Sequence, residues 1–294
     1  MQWEMTRERL AARSAWGVSA LKVAGLTLLL TALLSVDYIG MTISRSLLEA
    51  PVQLIFVAFA DTLILNYFVR SSRLTGWKEW GALFALFYGV NYPLVAMESA
   101  YLGNIFSPTL VLGLVANGAI ATGVFAAVLV WSGGERVADA EAPNTRLMMR
   151  SKELAWKIAG AGAAYLLLFV LFGFAVYIPI ARMLDPIALA REQSVAASSA
   201  ALVFPVELLR GALWALLAVP AVTALRFGWK KTALVTGLLF AVPMSGSILI
   251  STTMATGLQI AHLAEVFGEN LAFGLMVVLI LQAHSRLSPA VVKS

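Results

Sequence analysis

Of 294 residues, 60% are hydrophobic and 13% charged, against about 45–50% and about 25% in an average soluble domain. A soluble chain of this size still exposes much of its surface, so this composition excludes a water-soluble fold and suits a lipid bilayer. The net charge of +5 lies in short gaps between apolar runs, the membrane pattern and not a nucleic-acid surface, and the absence of cysteine excludes disulfides and thiolate chemistry.

A helix needs about 20 apolar residues to cross the hydrocarbon. Eight runs qualify, at 21–43, 52–70, 80–101, 109–131, 157–180, 202–225, 232–253 and 259–282. The fold class expected is therefore an all-α polytopic bundle of about eight spans in the cell membrane. The first run follows Arg7, Arg9 and Arg13 but has no small-x-small cleavage site before Asp37, so it reads as a retained helix and not a signal peptide. Asp37 interrupts it near its far end.

The second run carries Asp61 near its middle, with Asn66 on a nearby turn. The third is interrupted by Asn91-Tyr92-Pro93, and Glu98 lies two turns beyond Asn91 on the same face. Asn117 lies within the fourth. The longest polar linker, 133–156, then divides the chain into a first half, 1–132, and a second, 157–294. Four spans return the chain to its starting side, so a duplication of these halves would be parallel. Hints of one are Tyr38-Ile39 against Tyr177-Ile178, Asn117 against Asn270, and Pro93 against Pro243.

In the fifth run, Gly160, Gly162 and Ala164 read as packing residues. The linker that follows, 181–201, holds Arg182, Asp185, Arg191, Glu192 and Gln193 and is long enough to cap a cavity. Glu207 and Arg210 stand i and i+3 early in the sixth run, where an always-charged guanidinium needs a carboxylate or an anionic ligand. Gly211 beside them leaves room for a helix or a ligand, and Pro205 and Pro220 threaten the same helix. The seventh run has Pro243 and a hydroxyl-rich face beginning at Ser245. The eighth carries the sharpest local signal, His262, Glu265 and Glu269 at i, i+3 and i+7, one stripe on a helix with Asn270 beside it. A histidine beside two carboxylates suits proton handling, a polar substrate or a hydrogen-bond network. It lacks the His-Glu-x-x-His pattern of a metal site, so no metal is assigned and no cofactor is named. Asp37 and the stripe leave the first and eighth runs the least certain to cross in full.

The basic residues alternate with the spans. Seventeen of 21 fall in alternate segments, including Arg70, Arg73 and Lys78, then Arg226, Lys230 and Lys231. Both termini are accordingly expected in the cytoplasm. In that orientation Glu98, Glu207, Arg210, His262, Glu265 and Glu269 gather in the outer half, with Asp61 near the middle, as an outward-facing polar cavity would require. Trp77, Trp80, Trp131, Trp156 and Trp229 fall at helix ends as interface anchors. The pattern admits a transporter or permease for a small polar or anionic solute. It also admits an intramembrane enzyme acting on a lipid-linked or amphipathic anionic substrate, and a structural or partner-binding subunit.

Overall fold

The computed structural model describes residues 19–37, 42–43, 45–98, 108–133, 151–198, 200–252 and 254–282. Apolar segments without water to satisfy their backbone close their hydrogen bonds within helices, and helices account for almost every described residue. In chain order they are α1 (Ser19–Leu34), a two-residue hairpin of β1 (Val36–Asp37) and β2 (Thr42–Ile43), α2 (Arg45–Glu49), α3 (Pro51–Ser71), α4 (Gly76–Asn91), α5 (Pro93–Glu98) and α6 (Pro108–Trp131). Then come α7 (Ser151–Phe172), which runs through a π-turn at Gly173–Tyr177 into α8 (Ile178–Leu184), and α9 (Pro186–Ser198). The chain closes with α10 (Ala200–Ala224), α11 (Trp229–Leu249) and α12 (Thr256–Gln282).

Among the described residues seven helical segments are long and apolar enough to cross a membrane, and α1 is a shorter apolar helix. The first run thus ends as a helix at Leu34, before Asp37, which turns into the hairpin and accepts a hydrogen bond from Asn117 Nδ2 at 2.6 Å. The eighth run is one unbroken helix. Expected breaks fall unevenly. Tyr92 and Pro93 end α4 and start α5, because the missing N–H and fixed φ suit a helix start. Helix α10 continues through Pro205 and Pro220, and α11 through Pro243, since neighbouring helices hold the backbone in place. The polar linker is shorter than expected at its end, as α7 already begins at Ser151; residues 134–150 lie outside the described residues, as do Tyr38 and Ile39.

Small residues set the helix spacing. A Cβ on Gly274 of α12 would lie 2.3 Å from the Gly237 Cα of α11, and one on Gly162 would lie 2.8 Å from the Leu208 carbonyl of α10. Gly160 faces open space, so the packing role expected of it does not hold. Gln259 Nε2 donates to the carbonyls of Ile248, Leu249 and Ser251 at 2.9, 3.2 and 3.1 Å and so ties the α11–α12 turn.

The loops after α3 and α10 clasp each other. Ser72 and Leu225 form an antiparallel bridge, with Arg73 N donating to Ala224 O at 2.7 Å and Arg226 N to Ser71 O at 3.2 Å. The bonds are reciprocal, each loop giving and receiving one. Both loops read alike, Arg73-Leu74-Thr75-Gly76-Trp77-Lys78 and Arg226-Phe227-Gly228-Trp229-Lys230. At this same end Lys22 donates to the Gly133 carbonyl and Lys157 Nζ to Leu281 O at 2.9 Å. The clasp, the start of α1, the end of α6, the start of α7 and the end of α12 therefore share one basic end. Trp77, Trp131 and Trp156 are exposed there, while Trp80 is half-buried and donates to Gly123 O at 3.1 Å.

Candidate functional site

At the far end of the bundle, the stripe on α12 meets residues from three other elements. His262 Nδ1 lies 2.9 Å from Glu265 Oε2, and its Nε2 lies 3.7 Å from Glu192 Oε1 of α9. The π-turn brings in the next partner. Such a turn inserts one residue into the helical frame and re-aims the side chains beyond it. Here Tyr177 stacks on the His262 ring, centroids 4.4 Å apart, and its hydroxyl donates to Glu192 Oε2. Gly173, which opens the turn, leaves space beside Glu265 Oε1, 3.5 Å from where a Cβ would stand.

One turn further along α12, Glu269 accepts a hydrogen bond from the Tyr165 hydroxyl of α7, while its Oε1 accepts none among the described residues. Glu269 lies within electrostatic reach of Arg210, Glu265 and Glu207. Arg210 Nη1 stands 3.3 and 3.2 Å from the two Glu207 oxygens, and its guanidinium lies 5.9 Å from the centre of the Tyr165 ring. The room beside Gly211 is filled by Tyr165, whose Cβ would be 2.4 Å from an added methyl. Beneath the charges Tyr165, Trp214, Phe240 and Phe273 pack ring against ring and close the site toward the basic end.

The sequence candidates thus form two contact groups, His262 and Glu265 with Glu192 and Tyr177, and Glu207, Arg210 and Glu269 with Tyr165, which lie within electrostatic reach of each other through Glu265 and Glu269. Exposure falls across them, from side chains of Glu192 and His262 about a third exposed (31% and 28%) to 3% for Glu269 and 0% for Glu207. Four carboxylates, of Glu192, Glu207, Glu265 and Glu269, share this region with the Arg210 guanidinium and the His262 ring. Outside the spans, burial alone would push the Glu192 carboxyl up. Hydrogen bonds from His262 and Tyr177, together with the His262 charge, outweigh it and hold the carboxyl below its usual range.

One expected member stands elsewhere. Asp61 is buried on α3, which packs on α11 and makes no substantial contact with α7 or α12. Glu98 ends α5, and its side chain lies outside the described residues. Two surface depressions, one along Pro186, Ile187 and Arg191 and one between Trp156, Lys157 and Ile280, are lined by none of these residues. Among the described residues, no three His, Asp or Glu are grouped to hold a metal ion. Glu192 had a visible signal, as a carboxylate in a short linker preceding a buried pair. Tyr165 and Tyr177 had none, because only the helix crossing and the π-turn aim them inward.

The fold defines an all-α bundle of long apolar helices, consistent with a polytopic membrane protein, with a buried ionisable network at one end. Compared with known proteins, the chain matches no protein-family model, no curated protein and no solved structure.

Proposed function

We propose that the chain is a transporter of the cell membrane, crossing eight times with both termini in the cytoplasm. Its two four-span halves are parallel and joined through the linker 133–156. The basic end supports the orientation. The reciprocal clasp and the shared Arg-x-Gly-Trp-Lys-like loops support the halves, since a two-fold axis along the membrane normal would relate two loops in that way. Helix α1 supplies the eighth crossing. At about 1.5 Å per residue it rises roughly 24 Å, and the hairpin and α2 carry the chain the remaining distance to α3.

In this reading protons pass from Glu192 and His262 through Glu265 to Glu269, coupled to a small polar solute. One observation carries it: ionisable side chains within hydrogen-bond or electrostatic reach of the next, whose exposure falls from about a third to nothing. Such groups are costly in a membrane unless paired or used. Arg210 already faces Glu207 and Glu269, and carboxylates outnumber cations, so a neutral or cationic solute is favoured over an anionic one. The catalytic reading draws no support from either surface depression. A structural or partner-binding role has one observation in its favour, the close packing of the network.

The test is proton movement into vesicles containing the purified full-length chain, read with an enclosed pH dye while neutral, cationic and anionic solutes are offered in turn. Transport predicts a flux that depends on one solute class and falls at least about tenfold, about 1.4 kcal/mol of barrier, in Glu265→Gln and Glu269→Gln. A wild-type flux left intact by both variants and by Arg210→Met removes the network from the mechanism. Variants that melt lower, with no flux in the wild type, favour the structural role.

A further inference from the structure

Asp61 sits at the middle of α3, 3% exposed, and among the described residues its Oδ1 accepts no hydrogen bond. The contact that faces it can be read from the helix register. A Cβ on Gly246 of α11 would meet Val57 Cγ1 at 2.7 Å, so these two residues stand opposite each other. The helices run antiparallel, α3 toward the basic end and α11 away from it. Four residues past Val57 lies Asp61, on the same face, and four residues before Gly246 lies Val242, beside Pro243. Pro243 has no N–H, so the carbonyl of Leu239, one turn back on that face, has no helical donor.

By this register the buried carboxylate comes level with the turn of α11, Leu239 to Pro243, that the proline leaves one backbone donor short. Two acceptors repel unless a proton stands between them, and a lone ionised carboxylate at this depth carries a large desolvation cost. We propose that Asp61 is a proton-binding site, holding its proton as a carboxylic acid that donates to the Leu239 carbonyl. The site is separate from the network at the far end and does not depend on the transport reading, although it would serve that reading as a second protonation site. Other titratable groups on α3 and the elements around it are Tyr67 and Arg70 on α3, Lys22 on α1, Arg45 and Glu49 on α2, Lys78, Glu79 and Tyr88 on α4, and Lys230 and Lys231 on α11; α6 has none.

The experiment is infrared spectroscopy of the full-length chain in lipid at neutral pH, reading the carbonyl stretch of protonated carboxylic acids. A Glu269→Gln background removes the other buried carboxyl that has an unbonded oxygen. In that background the proposal expects one protonated-carboxyl band, lost in Asp61→Asn, which should fold because its amide can donate to the same carbonyl. Pro243→Ala restores a donor to Leu239 and should shift the band to the frequency of a free acid; this variant decides the matter if Asp61→Asn does not fold. An unchanged spectrum in Asp61→Asn overturns the proposal, as does a band that Pro243→Ala leaves in place. Loss of the band on adding sodium chloride, but not choline chloride, also overturns it in favour of a metal cation.

Discussion

Glu207 and Arg210 are both almost wholly buried, and a guanidinium does not lose its proton at ordinary pH. Removing one partner of such a pair leaves a buried charge, which costs about 3–5 kcal/mol. Glu207→Ala should therefore lower the unfolding temperature of the detergent-solubilised protein far more than Glu207→Gln, which keeps a hydrogen-bond acceptor. The matched pair Glu207→Gln with Arg210→Met should recover much of the loss; no recovery would mean that Glu269 is the counter-charge that matters. At the mouth of the network the expected pH dependence has a definite sign. The Glu192 carboxyl is held below its ordinary range in the folded protein, so its contribution is full above the unfolded value and is lost as pH falls through the folded one. Melting temperatures measured from neutral to acidic pH should fall less steeply in Glu192→Gln than in the wild type. The effect should be modest, because the side chain is nearly a third exposed.

Two glycines on long helices separate close approach from mere absence of a side chain. Gly274→Ala pushes a methyl into the backbone of α11 at Gly237, and overpacking of that kind costs about 1–3 kcal/mol. Gly160→Ala, on the open face of α7, should be neutral or add up to about 1 kcal/mol of helix stability. Thermal unfolding of the two variants side by side measures the difference. Equal effects would mean that α11 and α12 do not pack as closely as described. The π-turn acts at this scale too, since it turns Tyr177 onto His262 within an otherwise regular helix.

Across the whole molecule, the clasp of Ser72 and Leu225 ties the loop after α3 to the loop after α10 at the basic end. Residues bridged in an antiparallel pair lie about 4.5–5.5 Å apart at Cα, within the range a disulfide spans. The chain has no cysteine, so Ser72→Cys with Leu225→Cys tests this contact without background. Mild oxidation should cross-link the pair in nearly every molecule, detected after cleavage in the 133–156 linker as two halves that separate only on reduction. If the halves part here during transport, the cross-link should also stop the flux and reduction should restore it. Failure to cross-link would contradict the clasp itself.

The apolar runs alone determined the helices, because a bilayer leaves a spanning backbone no other way to satisfy its hydrogen bonds. The spacing of His262, Glu265 and Glu269, and of Glu207 and Arg210, determined which side chains share a helix face. The likeness of the Arg73 to Lys78 and Arg226 to Lys230 loops became plain only once the structure had clasped them together. Where α1 stops was less legible, since hydropathy runs on past Leu34 while Asp37 turns away to meet Asn117. Only the tertiary structure decided that the two helix faces join through Tyr165, and that Tyr177 and Glu192 close the far end. It also decided that Asp61 stands apart, buried on α3, which packs on α11. Periodicity reports the direction of a side chain about its own helix axis, whereas the partner it meets depends on how far neighbouring helices slide and turn. That is set by the volumes of residues such as Gly211, Gly237 and Gly246 and by the extra residue in a π-turn.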